Sequence, residues 1–280
     1  MDEPVKSSRV EDGMHLDFSK RMSYGDYLRL DALLSAQAPL SDQHDEMMFI
    51  VVHHVQELWI GLSIHELKFA MQSLAADSSG LAFKALARVS RVQEQLVSAW
   101  DVLSTMTPAD YLTFRGRLEG ASGFQSHQYR LMEVLLGARD DKALLPHKHK
   151  ADAYQDLLRA FNGASIYDEA IAFLARQGFA VPDALLARDY SVQHSYSDAL
   201  SDIWLEVYRA PERHFAAYQL AEELVDVEDW FQQWRFRHMN TVQRIIGNKP
   251  GTGGSSGVGY LKKALDRRFF PELWDVRTRL

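Results

Sequence analysis

His238 and a glycine-rich loop stand next to each other in the segment WRFRHMNTVQRIIGNKPGTGGSSGVG, residues 234–259, where chemistry is most concentrated. Phe231, Trp234, His238, Val242 and Ile245 recur every three or four residues, so a helix would carry them on one buried face with His238 pointing inward. A lone histidine on such a face is more often a hydrogen-bonded core residue than a ligand, because a buried neutral imidazole needs only one partner. Its company raises the functional reading. Arg235, Arg237 and Arg244 share the helix and could pair an anionic cofactor, or equally form a solvated face paired with acids. Haem, with an axial imidazole and two propionates, would use both features.

The loop GTGGSSGVG places Ser256 where G-x-G-x-x-G needs its last glycine, follows no strand, and lacks a GK[ST] ending. A P-loop is therefore excluded, and the dinucleotide-binding pattern is missed at its last position. Thr252 offers a hydroxyl among residues that permit close backbone approach, and the competing reading is a mobile connection between helices. The helix before it should end at Gly247, and Pro250 cannot continue the turn.

A second constellation is FIVVHHVQE, residues 49–57. Phe49 and His53 are four apart and stack on one helical face, an aromatic plate beside a proton acceptor that suits a planar N–H substrate. His54 competes for the same role. Tyr111 and Arg115 are likewise four apart, and Arg115 suits a bidentate carboxylate, with Arg117 and Arg130 as competitors. Ser122, before Gly123, is a candidate cap or pocket hydroxyl. Metal binding by spacing is weak: HHVQE is not H-E-x-x-H, Phe69 stands where a second histidine would follow His65-Glu66, and His147 with His149 sits in a Lys-flanked segment expected to be exposed.

These groups need elements to hold them, and the periodicity supplies only helices. The chain should be all-α. A long helix is predicted over 45–74, with Met47, Val51, His54, Leu58, Leu62, His65 and Phe69 as its buried stripe. A second runs over 81–106, with Leu86, Val89, Val92, Leu96, Trp100 and Leu103 inward, and a third over 211–246. Ser255 or Ser256 could cap a further helix. The prolines fall at helix starts or connections. No repeat or linker cuts the chain, so the partition is a flexible segment over 1–20 and one helical domain over 21–280.

With 280 residues, 46% hydrophobic and 25% charged, the composition is that of a folded protein with a substantial core. A formal charge of −7 argues against a nucleic acid or an anionic membrane as main partner. The chain has no cysteine, which removes disulfides and thiolate chemistry and suits a reducing cytoplasm. The longest apolar run, Met47 to Val52, falls short of a membrane span, and the acidic N-terminus does not look like a secretory signal.

An ordered series of motifs resembles the tryptophan 2,3-dioxygenase family: SYGDYLRLDALLSAQ at 23–37, HDEMMFIVVHH at 44–54 with ELW at 57–59, SGFQSHQYR at 122–130, WRFRHMNTV at 234–242, GTGGSSGVGYL at 251–261 and FFPELWDVRT at 269–278. It spans nearly the whole chain. The resemblance implies haem b bound axially by His238, with Ser122 and Gly123 beside the cofactor. It implies that Phe49 and His53 contact the indole, His53 as the catalytic acceptor of its N–H, with Ile50, Val51 and Val52 in the same wall. Arg115 would pair the carboxylate of L-tryptophan, or of a substituted tryptophan, with Tyr111 beside it, and Thr252 would lie near the substrate's ammonium and carboxylate. Tyr24, Tyr27 and Leu28 would reach a neighbouring subunit's pocket in a homotetramer, a dimer of dimers. O₂ would be the cosubstrate, both atoms ending in N-formyl-L-kynurenine; a related haem monooxygenase inserting one atom is the alternative. The sequence departs from the family pattern at Val52, His54, Val55 and Gly61 in the wall segment, and at Asn248 and Pro250 before the loop.

Overall fold

The structure is a computed structural model describing residues 14–280, and it is all-α, with no strand among the described residues. In chain order the helices are α1 (Tyr24–Leu28), α2 (Leu30–Leu34), α3 (His44–Ala75), α4 (Ser79–Leu103), α5 (Pro108–Arg115), α6 (His127–Leu136), α7 (Ala151–Phe161), α8 (Ile166–Arg176), α9 (Asp183–Leu186), α10 (Asp198–Arg209), α11 (Phe215–Ile246), α12 (Val258–Leu265) and α13 (Pro271–Arg279). The chain divides into two compact units, one ending at Pro39 and one over Leu40–Leu280. Much of the segment expected to be flexible, 1–13, lies outside the described residues. In the first unit α1 opens on a reciprocal capping box between Ser23 and Asp26, and Tyr24, Tyr27 and Leu28 are exposed.

The second unit is organised by α3, α4 and α11. Three residues join α3 to α4, so the pair runs antiparallel, and α11 packs along α4. The inner face of α4 is as predicted, with Leu86, Val89, Val92, Leu96, Trp100 and Leu103 all buried. That of α3 is not. Met47, Val51, Leu58 and Phe69 are 43%, 41%, 56% and 42% exposed, while Val52, Gln56, Ile60, Ile64, Leu67 and Leu74 form the buried side. Both sides of α3 are rich in apolar residues, so spacing alone could not choose the inner one. Its buried polar groups are partnered: Glu46 accepts from the amides of Leu40 and Ser41, and Glu66 pairs with Arg88 at 2.7 Å.

By length and composition alone α3 is also apolar enough to cross a membrane, a property that core helices share, and here it packs on α4, α6 and α8. The third long helix begins at Phe215, after a turn, and ends at Gly247 as predicted. No Ser255 or Ser256 side chain caps α12; its N-cap is Gly257.

Candidate active site

A cavity of about 630 Å³ opens in the second unit between α3, α4, α5, α6, α11, α12 and the glycine loop, within the size range of small-molecule and cofactor sites. The α11 wall carries His238. Its imidazole lies flat against Trp100 of α4, with ring centroids 4.6 Å apart and planes 9° from parallel, and Trp234 one turn away packs beside both rings, tilted by 39° with its centroid 5.4 Å from that of His238. The ring makes no hydrogen bond to the protein among the described residues. Burial, and secondarily the charge of His53, lower its pKa to about 4, so His238 is neutral and keeps a free lone pair. That is the form in which imidazole ligates a metal.

The α3 wall carries His53, held differently. Its Nδ1 lies 2.7 Å from the Phe49 carbonyl oxygen, which can only accept, so Nδ1 carries the proton and Nε2 is left as an acceptor. Burial, helped by His54, pushes its pKa below the ordinary histidine value, against the opposing pull of the Phe49 carbonyl and Glu57. The Phe49 ring lies 4.2 Å from that of His53 and is backed by Phe114 and Tyr111 at 5.6 and 5.9 Å. Ile50 and His54 also line the cavity. Val51 and Val52 do not: a helix turns each successive residue by about 100°, which sends Val51 to the surface and Val52 into the core.

At one end of the cavity, α5 starts on a Thr107–Asp110 capping box with Pro108 in its first turn, and presents Tyr111. Burial raises the Tyr111 phenol's pKa, with Arg115 opposing. Ser122, Gly123 and Thr252 line the cavity as well. A Cβ at Gly253 would lie 2.2 Å from the Phe124 ring, so only glycine lets the loop approach Ser122–Phe124 this closely. Thr252 Oγ1 donates to the Ala121 carbonyl at 2.6 Å. Arg115 is not among the lining residues. It turns to the loop, Nη2 donating to the Pro250 carbonyl at 2.6 Å, and borders a shallow depression that shares Thr252 with the cavity.

Two clusters were not foreseen. In the first, Glu133 of α6 is buried between Arg130 at 2.6 Å and Arg235 at 2.8 Å, and also accepts from the Tyr129 hydroxyl. Burial raises its pKa, but the two guanidinium groups outweigh it and the carboxyl stays ionised. Two cations and one anion leave this corner of the cavity net positive. Arg235 is thus the inward member of its helix's arginines, whereas Arg237 pairs with Asp101 at the surface. The Arg130/Glu133 spacing of three was the available signal. In the second, Gln128 Nε2 donates to the backbone and carboxylate oxygens of Glu57 at 3.0 and 2.8 Å. A Cβ at position 61 would sit 2.7 Å from Gln128 Oε1, which accounts for a glycine in mid-helix.

No group of three His, Asp or Glu side chains is arranged to hold a metal among the described residues. His147, expected to be exposed, is 3% exposed, its ring 5.9 Å from that of His127.

Comparison with known proteins bears on the whole chain. The sequence profile described as tryptophan 2,3-dioxygenase matches residues 9–177 and 179–280. A tryptophan 2,3-dioxygenase of Polaromonas sp. (strain JS666) is 55% identical over 265 residues, covering 95% of this chain and 90% of that protein. One from Bacillus thuringiensis subsp. konkukian is 51% identical over 271 residues, covering 97% of each, and one from Paraburkholderia phytofirmans is 53% identical over 272 residues, covering 96% of this chain and 89% of the relative.

Proposed function

The chain belongs to the tryptophan 2,3-dioxygenase family, and from that premise we propose that it binds haem b through His238 and opens the indole ring of L-tryptophan with O₂ to give N-formyl-L-kynurenine. The observation that carries this reading is the pair of imidazoles on one cavity, His238 with no hydrogen-bond partner among the described residues and His53 with Nε2 left free. The residues fit the cofactor: an unpartnered neutral imidazole for the iron, largely apolar walls for the macrocycle, and a net positive corner at Arg130, Glu133 and Arg235 for its anionic edge. Haem supplies the redox chemistry that adds both atoms of O₂ across the indole C2–C3 bond.

The protein's own part is binding, orientation and exclusion of water. His53 Nε2 accepts the indole N–H, and the Phe49 ring packs beside the substrate's plane. Arg115 exchanges its bond to the Pro250 carbonyl for the substrate carboxylate, a charge-assisted pair replacing a neutral acceptor. Tyr111, Ser122 and Thr252 offer hydroxyls around the same amino-acid end. The enzyme works as a homotetramer in the cytoplasm, and the exposed Met47, Val51, Leu58 and Phe69 of α3 supply apolar surface for association. Tyr24, Tyr27 and Leu28 are assigned to complete a neighbouring subunit's pocket. Turnover of L-tryptophan under ¹⁸O₂ should give one product carrying two labelled atoms; a single labelled atom would replace this reading with a monooxygenase.

A further inference from the structure

We propose that Gln56 is the positioning residue that fixes the His238 wall against the His53 wall, a role that rests on the haem reading above. Its side-chain amide is buried, 5% exposed, and both ends are used. Oε1 accepts from the Trp234 indole N–H at 2.9 Å, and Nε2 donates to the Leu96 carbonyl at 3.0 Å. Indole N–H can only donate and a carbonyl can only accept, so the amide has one orientation and cannot flip without losing both bonds. Each contact lies one turn from a group that forms the site. Gln56 follows His53 by three residues on α3, Trp234 precedes His238 by four on α11, and Leu96 precedes Trp100 by four on α4.

Trp100 and Trp234 are the two rings that hold the His238 imidazole, and their centroids lie 5.8 Å apart. His238 makes no side-chain hydrogen bond among the described residues. The orientation of its ring is therefore set by these two indoles, and Gln56 bonds both to Trp234 and to the α4 backbone one turn before Trp100. A hydrogen bond usually orients a ligating histidine directly; here the orienting bond acts one ring removed. Loss of the amide would loosen the stack around His238 while leaving His53 and the hydroxyls of Tyr111, Ser122 and Thr252 in place.

The test uses the reconstituted full chain with Gln56→Leu, and Trp234→Phe as a second variant that removes the same bond from the other side. As a control, Leu174→Ala destabilises the core at α8, away from the cavity. The readouts are the iron–histidine stretching band of the reduced protein and the rate of haem loss to an acceptor globin. Both bond-removing variants should shift or broaden the band and lose haem about 10-fold faster, whereas Leu174→Ala should leave the band unchanged at a matched loss of Tm. A wild-type band and haem-loss rate in Gln56→Leu, or in Trp234→Phe should Gln56→Leu fail to fold, would overturn the proposal. Wild-type protein that takes up no haem would instead overturn the haem reading and this role with it.

Discussion

His53 and His238 face one cavity from two helices of 32 residues each, yet the protein treats them in opposite ways. His53 is pinned by its own helix, Nδ1–H to the Phe49 carbonyl, so its tautomer is decided before any ligand arrives. His238 is held by aromatic faces alone, and neither ring nitrogen is committed. A group that must accept one proton from a substrate gains from a fixed tautomer. One that must bond a metal gains from a free lone pair, with stacking setting the ring's plane. The local partners thus suit the two histidines to the two different roles proposed for them, although burial lowers both pKa values.

The sharpest way to break that comparison is His238→Ala. It should cost more than about 100-fold in haem affinity, exceeding the loss seen when only an outer partner is removed, and abolish turnover. Titration of the apoprotein with haemin, followed at the Soret band, measures it; an unchanged affinity would remove His238 as ligand.

His53→Ala should retain the Soret band and lower kcat/KM by about 100-fold, the size of a lost proton acceptor, with His54→Ala costing much less. Equal losses from the two variants would end the distinction between them. Because the pKa of His53 is held below its ordinary value of about 6.5, Nε2 stays an acceptor as the pH falls through that range. Wild-type kcat/KM should accordingly be flat from pH 8 to about 6.5 and decline only below it. A decline centred above 6.5 would contradict a neutral, desolvated His53.

Arg115→Lys tests whether the carboxylate end is as pre-set as the indole end. The planar guanidinium can bond the Pro250 carbonyl or a carboxylate edge-on, and an ammonium cannot replace that geometry. KM for L-tryptophan should rise about 10-fold with kcat nearly unchanged, in steady-state assays. An equal fall in kcat would mean that Arg115 acts mainly in the transition state.

The α11 wall was legible in the sequence and the α3 wall was not, for a physical reason. On α11, Phe231, Trp234 and Ile245 are buried as their spacing of three and four implied, and His238 came with them, although Glu228 and Arg235 of the same helix are buried too. On α3, apolar residues run along both sides. Met47, Val51, Leu58 and Phe69 read as a core stripe but stand at the surface, while Gln56 and Glu66 lie inside because Trp234, Leu96 and Arg88 satisfy them. A buried polar residue is recognised by its partners, and those lie 22 to 178 positions away in the chain. Arg115 shows the same limit, since its bond to Pro250 crosses 135 positions.

The smallest effect expected belongs to Gly61→Ala, and it reads the α3 wall by itself. Alanine in mid-helix is worth about 1 kcal/mol over glycine, so the substitution should stabilise α3 if nothing else changes. Its Cβ, however, would meet Gln128 Oε1 at 2.7 Å, and Gln128 would have to swing away from Glu57. Hydrogen bonds to a charged group are worth about 1.5–3 kcal/mol when buried, and this pair is only part-buried, so the loss should slightly outweigh the gain. Net destabilisation below about 1 kcal/mol follows in the single variant. In a Gln128→Ala background the clash and the bonds are both gone, and Gly61→Ala should then stabilise by about 1 kcal/mol. Urea denaturation of the four proteins of this cycle decides it. A gain of the same size in both backgrounds would show that Gln128 does not require the glycine.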